Sequence, residues 1–219
     1  MEIIKTDGTY SIVKTGDRYQ VMNGDNVLKT PGGKIADTLY LPLAERLMQD
    51  WKELGYGSYC EAGSILSYHF TMVENFAPLG HTAVLNMLNS MNWENEWTFQ
   101  GCPSPNPHVY MKWMSYFGGS NKDELVRQWL EKQTIMQLVA STCVYNAFMS
   151  YNLAYFFAIV VEGMPKTKHK KAIKEFYDFY SMFDPMFDFD EFWKIFDCFR
   201  VYYGIYFKEE GKHIPQLEE

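Results

Sequence analysis

A chain of 219 residues can bury one substantial core or two small ones, and 47% apolar with 17% aromatic residues excludes a wholly disordered protein. The formal net charge of −7 argues against a general nucleic-acid binder, whose affinity comes from Lys and Arg neutralising phosphates. Cys60, Cys102, Cys143 and Cys198 include no CxxC pair, so they read as buried thiols of a reducing compartment and not as a zinc or redox site.

The first ten residues, MEIIKTDGTY, lack the basic start and apolar run of a secretory signal and the Arg- and Ser-rich amphipathic pattern of a transit peptide. The expectation is a cytoplasmic protein. Residues 1 to about 40 read as an antiparallel meander of three or four strands. TYSIVKTG, RYQVMNGD, NVLKTP and KIADTLYL are short, carry β-branched and aromatic residues, and are separated by Gly-rich turn chemistry. Asn23-Gly24 is the strongest hairpin signal, because both residues accept the positive φ of a tight primed turn. Thr30-Pro31-Gly32-Gly33-Lys34 shares only its glycines with a phosphate loop and reads as a further hairpin turn.

From Leu41 the apolar period changes from two to about 3.6. Pro42 suits a first helical turn, and Ala44, Leu47, Met48, Trp51 and Leu54 fall on one face before Gly55 stops the helix. The spacing predicts further helices near 64–76, 79–92, 107–117, 121–161 and 167–207, the last two regions broken, with Asn121 and Glu124 as a capping pair. In NWENEWTFQGCPSPNP, the Pro-, Asn- and Gly-rich loop begins at Gly101, with Trp93 and Trp97 as its anchors on the core. There is no internal repeat.

Thr134 to Val161 carries no charge, but Gln137, Asn146, Ser150 and Asn152 would each need a partner in lipid. The expectation is therefore a buried central helix and no membrane span, with Ala147, Ser150, Ala154 and Ala158 as a shallow ridge for close neighbours. KTKHKKAIK, Lys166 to Lys174, reads as a solvated interhelical turn.

The stretch FDPMFDFDEFWKIF, Phe183 to Phe196, opens the last helical region. Asp188 is placed to cap its N–H groups, with Asp190 and Glu191 toward the positive end of the dipole. On a helix, Phe192, Phe196, Phe199, Tyr203, Tyr206 and Phe207 cover nearly half the circumference, opposite Asp190, Lys194, Asp197, Gly204 and Lys208. Such a width means either a helix wedged between two others or a face partly reserved for a partner. The second reading assigns partner contacts to Phe183, Phe187, Phe189 and Trp193, since aromatic residues contribute most at interfaces. The chain's thirteen Met fit either case, because thioethers fill irregular cores and adapt to varied surfaces.

Chemistry finds little support in the linear sequence. Among His69, His81, His108, His169 and His213 there is no HExxH or HxH pair, and GxSxG, GxxxxGK[ST] and GxGxxG are absent. No metal, cofactor or catalytic residue is assigned. An enzyme would have to gather its site from distant positions, such as His69 with Glu74 or His81.

The order of features from Tyr19 to Phe76 resembles the assembly chaperones of F-type ATP synthase, which shield a free alpha subunit before it joins the catalytic ring. The similarity is carried by YQVMNGD, Lys29-Thr30-Pro31, Leu43-Ala44-Glu45, Asp50-Trp51, Gly55 and Leu66-Ser67. NAFMSYNLAYFFAIVVEG is similar to the family's long small-residue helix, with Phe148-Met149-Ser150 where the family has Gly-Ser. The family's acidic and Gln motif before Trp-Gly has no counterpart in EFYDFYSMFDPMFD, so no acidic residue is carried over. The resemblance implies an α+β protein, with a β meander and first helix over 1–56 and a helical domain over 57–219. It also implies no catalysis, a protein client such as the alpha subunit, and Lys29, Thr30, Pro31 and Trp51 as structural motif residues. The helical-scaffold alternative would bind nothing transiently.

Overall fold

The computed structural model describes residues 2–55, 63–89, 122–181 and 188–209. The expectations for the 107–117 helix, the loop from Gly101, Trp93, Trp97, Cys60, Cys102, the Asn121 cap, Phe183 and Phe187 lie outside them.

The fold is α+β, with sheet first and helices after. The strands β1 (Glu2–Asp7), β2 (Tyr10–Thr15), β3 (Arg18–Asn23) and β4 (Asn26–Val27) form one antiparallel sheet in sequence order. Gly24 has φ of 56° in the turn that joins β3 to β4, as Asn23-Gly24 chemistry requires. Two details differ from the sequence reading. A strand expected in KIADTLYL is reduced to the isolated bridges Tyr19↔Thr38 and Lys29↔Ile35, and the remaining strand is β1, at the start of the chain. All six residues of β1 are exposed, so it has no buried face to mark it by alternation.

Helix α1 (Leu41–Leu54) begins with Pro in its first turn and ends at Gly55, whose φ is 70°. Leu43, Ala44, Leu47, Met48 and Trp51 are buried, whereas Leu54 at the last turn is 43% exposed and leaves the apolar face. The helix lies on β2 and β3 on one side and touches the helical part on the other. A single cluster of buried side chains therefore runs from Ile12 and Val21 through Leu47 to Phe199 and Tyr202.

Helix α2 (Ile65–Thr71) passes into a wider π turn over Met72–Phe76 and a short tail over Ala77–Leu79. The described helices that follow are α3 (His81–Asn89), α4 (Lys122–Glu131), α5 (Ile135–Phe148), α6 (Tyr151–Gly163), α7 (Lys166–Tyr180) and α8 (Phe189–Glu209). The long regions are broken as expected. Thr134 starts α5 with a reciprocal capping box to Gln137, and Ser150 starts α6 by accepting from the Leu153 N–H at 3.1 Å. Because Met149 breaks the run, Ala147 and Ala154 do not share one helix and no continuous small-residue ridge forms. No helix among the described residues is long and apolar enough to cross a membrane.

The Lys166–Lys174 run is not an interhelical turn but the opening of α7. Burial of Ile173, Phe176, Phe179 and Tyr180 on its inner face holds it helical despite the like charges. Helix α8 is wedged among α5, α6 and α7 and also meets α1 and α2, which accounts for its wide apolar face. Phe192, Phe196, Phe199, Tyr202 and Tyr203 are completely buried. Asp188 caps α8, accepting from the Glu191 N–H at 2.9 Å.

Met149 is the one non-glycine residue with positive φ among the described residues, at 53°, and its side chain is 60% exposed. The left-handed conformation costs an L-residue about 1–2 kcal/mol, part of which glycine returns as extra freedom in the unfolded chain. Met149→Gly should stabilise the protein by about 0.5–1 kcal/mol in urea denaturation. A loss of stability would mean that the Met149 side chain makes contacts which outweigh its backbone strain.

Candidate functional site: a lysine and aromatic seam

Where α7 runs beside the start of α8, two rows of side chains at four-residue spacing meet. Lys170 Nζ stands 5.7 Å from the centre of the Trp193 ring, and Lys174 Nζ stands 5.3 Å from that of Phe189 and 5.5 Å from that of Tyr177. Spacing of four puts each row on one helix face, and the antiparallel course of the helices sets Lys170 against Trp193 and Lys174 against Phe189. Tyr177, Phe189 and Trp193 are partly buried, each packed on the core by one edge. Phe189 and Tyr177 meet at 5.4 Å, and Trp193 leans on buried Phe196 at 5.4 Å. Of the partner residues assigned from sequence, Phe189 and Trp193 thus lie side by side at the rim, one turn apart. The other rings of α7 and α8 whose side chains are described are sealed inside.

The Lys29-Thr30-Pro31 step is elsewhere, in the turn closed by the Thr30 N–H to Lys34 carbonyl bond of 2.8 Å. Buried Thr30 donates its hydroxyl to the Glu74 carboxylate, which also accepts from the Gly32 N–H at 2.9 Å and pairs with Lys34 at 3.6 Å. These bonds hold Glu74 below the ordinary carboxylate range, with the Thr30 hydroxyl the largest cause. The turn is thereby latched to the π segment after α2. Trp51 is buried at the sheet and meets Tyr10 edge-on at 5.5 Å.

A second tie joins α1 to the helices. Asp50 accepts from Arg46 at 2.9 Å and from the Ile65 N–H at 2.7 Å, so a residue of α1 caps α2. Burial outweighs these partners and raises the Asp50 carboxyl above its usual range. Arg46 also reaches Asp197 of α8 at 3.4 Å.

His69, His81 and Glu74 are each held by partners of their own. His69 donates from Nε2 to the Asp37 carbonyl at 3.0 Å and accepts at Nδ1 from the Tyr202 hydroxyl at 3.3 Å, a neutral tautomer. His81 donates to the Gln133 carbonyl at 2.7 Å, and Glu74 is held by Thr30 and Gly32. No hydrogen bond or ion pair among the described residues joins any two of the three. Glu162 accepts from the Tyr203 hydroxyl at 2.6 Å and is raised by burial, while burial pushes the Cys143 thiol up to about 12. Among the described residues no group of three His, Cys, Asp or Glu is arranged to hold a metal.

No family model matches the sequence, and no curated protein matches it. A solved structure does: a point mutant of P. denitrificans Atp12p superposes with a TM-score of 0.53 over 92% of this chain and 96% of that one, at 11% identity. The chain has the Atp12p fold. At that identity the likeness carries the arrangement of sheet and helices, and it spans nearly the whole of both chains.

Sequence reasoning named Glu74 only as a companion of His69 and missed its tie to Thr30, as it missed the ties of Arg46 to Asp197 and of Glu162 to Tyr203, because each pair is more than 40 residues apart, beyond any local pattern. The rows at 170/174 and 189/193 were readable as spacing, but their meeting depends on the path between α7 and α8.

Burial lowers His69 to about 4. Between that value and the ordinary 6.5 the unfolded chain binds a proton that the folded one refuses, so this contribution to stability is present above pH 6.5 and lost as pH falls. The loss amounts to roughly 3 kcal/mol at most. NMR titration should place the His69 midpoint near 4. His69→Gln should flatten the decline of the denaturation midpoint between pH 7 and 5, and a His69 midpoint at the solution value would contradict the buried neutral tautomer.

Proposed function

We propose that this chain is a chaperone-like protein that holds an unassembled subunit, with the seam between α7 and α8 as part of the surface that touches the client. The observation that carries the reading is the match of the fold, over nearly the full length of both chains, to Atp12p, an ATP synthase assembly chaperone. The features of Tyr19 to Phe76 that resembled the same family in sequence fold here into the sheet, the latched turn and α1, in the same order. The client this favours is the alpha subunit of ATP synthase.

Physical considerations favour the seam over the rest of the aromatic stretch. A subunit awaiting assembly exposes apolar surface that aggregates, and a holder must supply replacement contacts that later yield. Completely buried rings cannot do this. Phe189 and Trp193 combine anchorage in the core with an accessible edge, so their positions are fixed before binding and little side-chain entropy is lost. The lysines beside them add contacts that water can replace on release.

The test is suppression of alpha-subunit aggregation by variants. Phe189→Ser and Trp193→Ser together should lower the melting temperature by only a few degrees, yet reduce suppression of light scattering about tenfold. Phe192→Ser, which deletes a completely buried ring, should instead unfold much of the protein. Full suppression by the folded double variant would remove the seam from the client surface. Failure of the wild type to suppress aggregation would reject the alpha subunit as client.

A further inference from the structure

We infer that the client segment received by this seam is an acidic helix presenting carboxylates one turn apart, with an apolar side chain between them; the inference rests on the chaperone reading above. The chain carries a formal charge of −7, yet Lys166, Lys168, Lys170, Lys171 and Lys174 fall within nine residues that contain no acidic side chain. All five are exposed.

This concentration is unfavourable for the free protein. It occupies the first turns of α7, where the helix dipole already presents positive charge, and Lys166, Lys170 and Lys174 repeat at like-charge i, i+4 spacing. Pro165 at the helix start supplies no side-chain cap. Only the C-terminal lysines have intrahelical relief: Lys174 pairs with Asp178, and Lys171 with Glu175 at 4.0 Å. Lys166, Lys168 and Lys170 form no ion pair among the described residues, and Lys170 instead lies over Trp193. A bound anion would relieve repulsion that the described residues leave uncompensated.

The surroundings select the kind of anion. The apolar face of α7 is buried through Ile173, Phe176 and Phe179, so no face remains to enter a lipid surface. Exposed Glu175, Asp178, Asp188, Asp190 and Glu191 border the seam, and a nucleic-acid backbone long enough to gain affinity would cross them. A polypeptide can place its carboxylates only where the lysines are. The rows at 166/170/174 and 189/193 have helical spacing, which a helix laid along the seam would match with Glu or Asp at i and i+4 and Leu or Phe against Trp193.

The experiment uses the full chain and a labelled synthetic helical peptide with Glu at every fourth position and Leu between, followed by fluorescence anisotropy, alongside its Glu-to-Gln counterpart. Expected are binding of the acidic peptide alone, about tenfold weakening from 50 to 500 mM salt, and at least tenfold weakening in the triple variant Lys166→Gln, Lys168→Gln, Lys170→Gln. That variant should melt no lower than wild type, since it removes repulsion. Equal binding of both peptides, no loss in the triple variant, or tighter binding of single-stranded DNA or phosphatidylserine vesicles would overturn the inference. A triple variant that still suppresses alpha-subunit aggregation while Phe189→Ser with Trp193→Ser does not would overturn it and leave the chaperone reading standing.

Discussion

Burial of the aromatic face of α8 dictates how the other helices are arranged. Phe192, Phe196, Phe199, Tyr202 and Tyr203 are all completely inaccessible, and no single neighbour could cover so wide an arc. Each such ring contributes about 1.5–3 kcal/mol by leaving water, so five together are on the order of 10 kcal/mol, comparable with the net stability of a whole domain. Helices α5, α6 and α7 must therefore surround α8, as they do. Phe157 of α6 illustrates the closure, meeting Phe192, Phe196 and Phe199 at 5.0–5.7 Å. What stays outside is what the wrapping cannot reach. At the first turn of α8 the covering helix α7 presents Lys170 and Lys174, and Phe189 and Trp193 remain at the rim.

The sheet is joined to this assembly by polar ties of long sequence range. Asp50 caps α2 from α1, and Glu74 gathers Thr30, Gly32 and Lys34. Such ties add little net energy compared with the core, but a donor removed from a partly buried carboxylate leaves that charge incompletely paired. They make the attachment of the sheet specific. The Lys29-Thr30-Pro31 step is understood in these terms: Thr30 is the residue that reaches Glu74, and Pro31 and the glycines let the turn close around the carboxylate.

Features written in local chemistry were legible in the sequence, and those set by distant partners were not. Gly24 and Gly55 announced their turns, and Asp188 announced the start of α8. The β-then-α order followed from the change of period at Leu41. Strand β1 went unread because an edge strand exposed on both faces has no alternation. The end of α5 at Met149 went unread because no glycine or proline marks it, and the Lys166–Lys174 opening of α7 was misread because charge suggested solvent while Ile173, Phe176 and Phe179 decided the matter from inside. Spacing named Phe189 and Trp193, yet only the packing of α8 showed that Phe192 and Phe196, equally aromatic, belong to the core.

In the function proposed above, the exposed edge of this aromatic core receives another polypeptide. Hydrogen–deuterium exchange of the full chain with and without the ATP synthase alpha subunit would locate that contact. Slowed exchange over 166–177 and 189–194 is expected in the complex, with the sheet unchanged. Protection confined to the sheet and α1, with the α7–α8 seam exchanging as in the free protein, would contradict it.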